Sequence, residues 1–266
     1  LERRPLTDSE PSTVGRRNIV RAYNEIARRL GEASIVEHPE FTICRGPAGM
    51  PLANYVIDFR SPSIKATRQR IRSLVAGATA LRAICLPGDQ PTGVEAELFA
   101  LGFRPVMQLE TMFLRHAPAV RAGPHCSWAS AHERRDVASW MTGFFFRSLD
   151  PSTQAAIARA MAASVHHLVK CSFMGTMIAA AMVVEDEESL GLYNLCVAES
   201  HRGQSWGKRV VSWIGQQARY QQKHLVLQCA DGLVPWYMLQ GFESAGRITL
   251  MEKGSRNPMI PYRGDV

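Results

Sequence analysis

The residues best suited to chemistry lie close together, at Arg202-Gly203 and Gly207-Lys208, within "VAESHRGQSWGKRVVSWIGQQARY". An apolar run precedes them, and an amphipathic run follows in which Trp206, Val210, Ile214 and Ala218 recur at near-helical spacing. Lys208, Arg209, Gln216 and Arg219 fall on the other sides of that run, so they can face water. The pattern predicts a loop held directly before a packed helix. A helix N-terminus offers unpaired N–H groups and partial positive charge, and glycines let a loop aim more N–H groups at the same point. Such a site binds phosphate mainly through backbone. Ser205 is its irregular position: a β-carbon makes positive φ costly, but a helical backbone at Ser205 would cost little.

Two common phosphate loops are excluded. A triphosphate loop needs four residues between its glycines and a hydroxyl after the lysine, whereas "GQSWGKR" has three between its glycines and Arg209 after Lys208. The dinucleotide pattern GxGxxG is absent.

Several elements must position this loop. "RRNIVRAYNEIARRLG" reads as a helix stopped by Gly31, with residues 1–15 loose before it. "EFTICRG" and "LANYVIDFR" read as strands around "PAGMP", followed by a helix in "SPSIKATRQRIRSLVAG" ending at Gly77. "LRAICL" is a strand, "TGVEAELFALG" a helix and "PVMQLETMFLR" a long strand. "HAPAVRAGPH" has no periodicity and is the linker candidate. After it come a short strand in "CSWAS", a helix in "AHERRDVASWMTGFFF" and another in "STQAAIARAMAASVHHL", opened by Ser152 after Pro151. "VKCSFM", "TMIAAAMVVED" and "LGLYNLCVA" are strands joined by hairpin-length turns. "HLVLQCA", "LVPWYMLQ" and "AGRITLMEK" complete the chain as strand, short helix and strand.

The two halves end alike. "LFALGF" and "YMLQGF" each close a helix with Gly-Phe, and Gly102 and Gly241 stand 139 residues apart. The strand–helix–strand order around them also matches, so we read a duplication with halves at 1–117 and 118–266.

At this point the sequence resembles the GNAT acetyltransferase superfamily. Arg202, Ser205 and Gly207 occupy the marked positions of its Arg/Gln-x-x-Gly-x-Gly/Ala loop, with serine in the middle place. "YMLQGF" looks like its later motif, in which a helical Tyr precedes Gly-Phe, while Ala230 and Asp231 stand where the family often has Asn. The resemblance covers about Cys126–Lys253 and extends more faintly over 16–115, as a degenerate copy. It implies an α/β (α+β) fold of two tandem domains, each a mostly antiparallel mixed sheet flanked by helices. It further implies an N-acetyltransferase that moves an acyl group from acetyl-CoA to an amine by direct transfer, without metal. Arg202, Gly203, Gln204, Ser205, Trp206, Gly207 and Lys208 would hold the pyrophosphate. Leu195, Cys196 and Val197 would line the pantetheine between the "LYNLCV" and "LVLQC" strands, and an N–H of Cys196 or Val197 would polarise the thioester. Tyr237 would be the general acid; the first half has Leu98 there and no matching loop, so it holds no acyl-CoA.

Composition bounds the alternatives. The 266 residues are 46% apolar, without a stretch long enough to span a bilayer or a secretion signal. Six cysteines lie apart with no CxxC, which argues against zinc or a disulfide framework and for buried thiols in a reducing cytoplasm. The net charge of +7 is shared between the halves, and no Lys/Arg run interleaves with aromatics, so nucleic acid is not an expected partner. His166-His167 lack metal-ligand spacing, and "EDEE" at 185–188 reads as a solvated hairpin tip. Its alternative role is to attract a cationic acceptor. The acceptor itself, a small molecule or peptide amine, and the oligomeric state stay open. The rival function is a non-catalytic acyl-CoA-binding or sensing module, favoured if Tyr237 is buried away from the thiol end.

Overall fold

The computed structural model describes residues 10–76, 80–115 and 125–254. In the first half, helix α1 (Pro11–Arg29) precedes strands β1 (Ser34–Glu37), β2 (Thr42–Arg45) and β3 (Tyr55–Ile57). Helix α2 (Ile64–Val75), β4 (Leu81–Cys85), α3 (Val94–Ala100) and β5 (Arg104–Leu114) follow. The second half runs β6 (Cys126–Trp128), α4 (Arg134–Phe145), α5 (Pro151–Ala163), β7 (His167–Phe173), β8 (Thr176–Glu185) and β9 (Ser189–Val197). It ends with α6 (Trp206–Tyr220), β10 (His224–Cys229), α7 (Val234–Met238) and β11 (Glu243–Lys253). The linker candidate falls almost wholly on 116–124, outside the described residues.

All strands join in one 11-stranded sheet, ordered β1-β2-β3-β4-β11-β5-β10-β9-β8-β7-β6. The succession β2-β3-α2-β4-α3-β5 is repeated by β8-β9-α6-β10-α7-β11. Each copy has one antiparallel pair followed by one parallel pair, β2–β3–β4 and β8–β9–β10. The copies exchange their last strands. β5 lies against β10, β11 lies against β4, and the two pair antiparallel at the centre. Leu109 faces Ile248 there, 139 residues away, the same offset as between Gly102 and Gly241. The halves thus share one sheet and not two, because neither keeps its own closing strand.

Three helices, α1, α4 and α5, cover one face across both halves, over a core that includes Ile26, Ile57, Met141, Ile157 and Cys196. On the other face α2 and α3 cover the first half through Ile71 and Leu98. There α6 and α7 cover the second half through Val210, Ile214 and Tyr237. Burying one large aliphatic side chain stabilises by about 1.5–3 kcal/mol, so the apolar stripe of α6 fixes the loop before it.

Several local details differ from expectation. Helix α1 begins at Pro11, so the loose segment expected over 1–15 is helical from there. Its N-terminal turns are anchored by burial of Val14 and by the close approach of Asn18 to Gly191, where a β-carbon would stand 1.9 Å from Asn18 Oδ1. Helix α5 is capped by Asp150, whose carboxylate accepts from the Thr153 N–H, with Pro151 at its first position; Ser152 is not the cap. Cys126 and Cys171 are joined as a disulfide, against the expectation of free thiols. They face each other in the β6–β7 register, a proximity that their 45-residue separation does not announce. Cys44, Cys85, Cys196 and Cys229 are buried and free. Among the described residues no helix is long and apolar enough to cross a membrane, and no group of three or more His, Cys, Asp or Glu could hold a metal ion.

Candidate functional site

The loop after β9 makes one 3-10 turn at Glu199–His201 and then reverses into α6. Two of its residues have left-handed backbone: Gly203 at φ 74 and Ser205 at φ 63, ψ 19. Ser205 is therefore not helical; it takes the conformation a glycine would take, and its hydroxyl makes no capping bond. It leads directly into α6, whose first two residues, Trp206 and Gly207, are buried. The loop, with Val197, His201, Arg202 and Lys208, surrounds a cavity of about 180 Å³ closed on one side by Trp236. No carboxylate lines it, so backbone N–H groups and cations dominate its field. Arg202 Nε donates to the Val197 carbonyl at 3.4 Å, tying loop to strand. Gln204 Nε2 donates to the Ser200 carbonyl at 3.1 Å. Arg209 stacks its guanidinium 4.5 Å from the Trp206 ring centroid, so it is more than a solvated charge.

Strands β9 and β10 part beside this loop. Their parallel register runs from Ser189–His224 to Leu192–Leu227 and stops. Strand β9 continues to Val197, and the gap opens along that continuation. Its cause is a bulge: Asn194 has φ 51, and the β8–β9 register slips between Ala180 and Met182. A bulge bends its strand and sharpens the twist. Beyond it, the Ala198 N–H donates to Ile178 of the β8 side. Alternation along the ladder then aims the Cys196 amide at β8 and the Val197 amide at the open gap. The Cys196 thiol is buried, contacts the Ala180 carbonyl at 3.6 Å, and has its pKa pushed up by that burial. It is unsuited to nucleophilic work.

A second cleft, of about 540 Å³, opens on the α1 face and reaches the same gap at Tyr193, Asn194 and Gln228. The Tyr193 hydroxyl donates to Asn18 Oδ1 at 2.9 Å, and burial pushes its pKa well up. Asn18 in turn donates to Val184 O, Asp186 Oδ2 and Ser189 Oγ. This buried network holds α1 and β9 at one fixed spacing. Arg82 and Glu252, paired at 2.7 Å, sit in the cleft wall.

Solved structures resemble this fold. A GCN5-related N-acetyltransferase from Kribbella flavida aligns with TM-score 0.65 and 15% identity over 94% of this chain and 97% of that one. A tandem GNAT protein from the clavulanic acid biosynthesis pathway aligns with TM-score 0.56 and 14% identity, over 82% and 79%. A GNAT-family acetyltransferase from Colwellia psychrerythraea aligns with TM-score 0.52 and 14% identity, over 91% and 97%. The chain has the GNAT acetyltransferase fold. No protein-family model and no curated protein matches the sequence.

Within this GNAT frame the expected residues fall into two groups. Val197, Arg202, Gly203, Ser205, Trp206, Gly207 and Lys208 line the loop cavity, while Leu195 and Cys196 lie on β9 beside the gap, with buried side chains. Gln204 is exposed at the loop tip. Tyr237 lies behind Trp236, which lines the loop cavity. It is 4% exposed, sits edge-on to Trp236 and Phe242, and lines neither cleft. Three of the four acidic residues of the hairpin are engaged, and Glu187 is exposed. Asp186 is buried and accepts from the Glu188 and Ser189 N–H groups, Glu185 pairs with Lys223 and His167, and Glu188 pairs with Arg17. The hairpin also lies at the Ser189 end of β9, roughly 25 Å along the strand from Val197. His166 is buried and held neutral, its pKa lowered to about 4 chiefly by burial.

The GNAT-like first half closes its own equivalent gap. Asp58, directly after β3, has φ 65, as Asn194 has φ 51 in β9. There the Arg16 guanidinium fills the space, paired with Asp58 and Asp89 and donating to the Phe59 carbonyl at 2.7 Å. The Gln90 N–H also donates to Phe59, so the strands rejoin past the bulge. Sequence reasoning missed Arg16, and with it Asn18, Tyr23, Arg82, Gln228 and Glu252. One signal was present: Asn18, Asn24 and Glu25 stand on the buried face of α1, where polar side chains need dedicated partners.

Proposed function

We propose that this protein is an N-acetyltransferase that transfers acetyl from acetyl-CoA directly to an amine. The observation that carries the reading is the coincidence of two features. A helix N-terminal loop free of carboxylates, Arg202–Lys208, adjoins a bulge-opened gap between parallel β9 and β10. The loop suits a pyrophosphate, and the edge of β9 suits an extended pantetheine that pairs like an added strand. Leu195, Cys196 and Val197 border that arm, and the Val197 N–H is the donor for the thioester carbonyl. The amine attacks the carbonyl carbon, the C–S bond breaks, and the sulfur leaves with a proton. Tyr237 is the general acid of this reading, and residues 118–266 are the part that binds acetyl-CoA, with 1–117 the degenerate copy. The location assumed is the cytoplasm, where Cys126 and Cys171 would be reduced to thiols.

Thermal shift with acetyl-CoA tests the cofactor. At a hundred times Kd, binding adds about 2.7 kcal/mol, a rise of roughly 5 °C or more for a chain of this size. Gly207→Glu sets a carboxylate at the anion site and should abolish the rise; because Gly207 is buried, the variant's apo melting curve is recorded beside it to confirm the fold. No rise for wild type at millimolar acetyl-CoA sinks the reading. A second reading, a non-catalytic acyl-CoA-binding module, is favoured by the burial of Tyr237, which lines neither cleft. Tyr237→Phe separates the two in a thiol-release assay. A general acid predicts a loss of about 10²-fold in kcat, and a packing residue predicts little change.

A further inference from the structure

The large cleft on the α1 face has a composition that selects its occupant. Its volume of about 540 Å³ lies within the usual range for small-molecule sites. Its walls are mostly apolar, from Met50, Leu52, Met107, Phe146 and Leu149, with the Tyr23 ring across them. Among its described residues the one carboxylate is Glu252, 5% exposed at the side chain and already paired with Arg82 at 2.7 Å. The other charge is positive, Lys253, whose ammonium donates to the Leu101 carbonyl. The inner end is polar but uncharged. There Asn194 and Gln228 stand where β9 and β10 part, and Gln228 Oε1 is buried with no hydrogen-bond partner. A second ammonium on a ligand would find no free carboxylate here, and burying an unpaired charge is costly. An apolar body would find a fitted wall, and one amine N–H would meet the unsatisfied acceptor on Gln228.

Resting on the acetyltransferase reading, we propose that the acceptor is a monoamine on an apolar, aromatic or branched aliphatic body, and not a polycation. It enters from the α1 face, opposite α6, with its amine at Gln228 and Asn194. The amine reacts in its neutral form. Its nitrogen bonds to the acyl carbon as the C–S bond breaks, and one N–H proton passes to the sulfur.

The test is thiol release by the full chain with acetyl-CoA, comparing phenethylamine with spermidine at pH 8. The expected kcat/KM for phenethylamine exceeds that for spermidine at least tenfold. Leu149→Glu, on the half-buried rim, adds the missing carboxylate and should narrow that ratio fivefold or more, with its melting curve confirming the fold. Three results overturn the proposal: spermidine equal or preferred with wild type, a ratio unmoved by Leu149→Glu, or no amine-dependent release from either amine although acetyl-CoA still raises the melting temperature. If acetyl-CoA itself gives no rise, the acetyltransferase reading falls and takes this inference with it.

Discussion

Replacing Ser205 with glycine asks whether the irregular residue of the loop misdirects its N–H groups. Ser205 lies at φ 63, ψ 19, a conformation that glycine adopts freely. A non-glycine residue there is strained by about 1–2 kcal/mol. Glycine relieves that strain but adds about 0.5–1 kcal/mol of unfolded-state entropy. Ser205→Gly should therefore stabilise by roughly 0.5–1 kcal/mol, raising the melting temperature by about 1–4 °C. Because the backbone already follows the glycine path and the hydroxyl caps nothing, the N–H directions should hold. Acetyl-CoA affinity should stay within about threefold, or 0.6 kcal/mol. Differential scanning fluorimetry gives the first quantity and isothermal titration calorimetry the second. A tenfold gain in affinity would refute the reasoning, since it would mean that serine had been holding the amides off target. A drop in melting temperature of several degrees would refute the strain argument.

Arg16→Met should remove the guanidinium from between Asp58 and Asp89, leaving two carboxylates unpaired, and destabilise by about 3 kcal/mol in urea unfolding. Wild-type titration should still give one acetyl-CoA per chain, because that guanidinium occupies the first-half gap; two sites per chain would contradict its role as a plug. Stability should also fall on acidification through His166, which is 1% exposed. Its folded pKa is lowered to about 4, so between the unfolded value near 6.5 and that point the unfolded chain binds the extra proton. The contribution is complete above about pH 6.5, and up to roughly 3 kcal/mol is lost by pH 4. Denaturation midpoints from pH 7 to 4 should flatten in His166→Gln; an unchanged slope would count against the assignment.

Much of the local structure was legible in the sequence. The stripe of Trp206, Val210, Ile214 and Ala218 announced α6, and the two Gly-Phe endings announced the repeat that Leu109 and Ile248 complete at the sheet centre. The loop's place before α6 was legible for the same reason, since residues 202–208 are neighbours in the chain. The conformation of Ser205 was not, because a serine gives no local signal for the left-handed backbone it takes on entering α6.

Everything that depends on distant strands lay beyond the sequence taken alone. Helical and strand periodicity reports which face of an element is buried, not which partner buries it. Hence the exchange of β5 and β11, the meeting of Cys126 with Cys171, and the seating of Arg16 in the first-half gap were decided only by tertiary packing. The 540 Å³ cleft is of the same kind: Tyr23, Arg82, Gln228 and Glu252 come from four separate elements. The sequence by itself determined the elements and the tight loop at Arg202–Lys208, because those rest on contacts a few residues apart. The tertiary structure decided which strand gap stays open and what lines the 540 Å³ cleft, because those rest on contacts that only the assembled sheet creates.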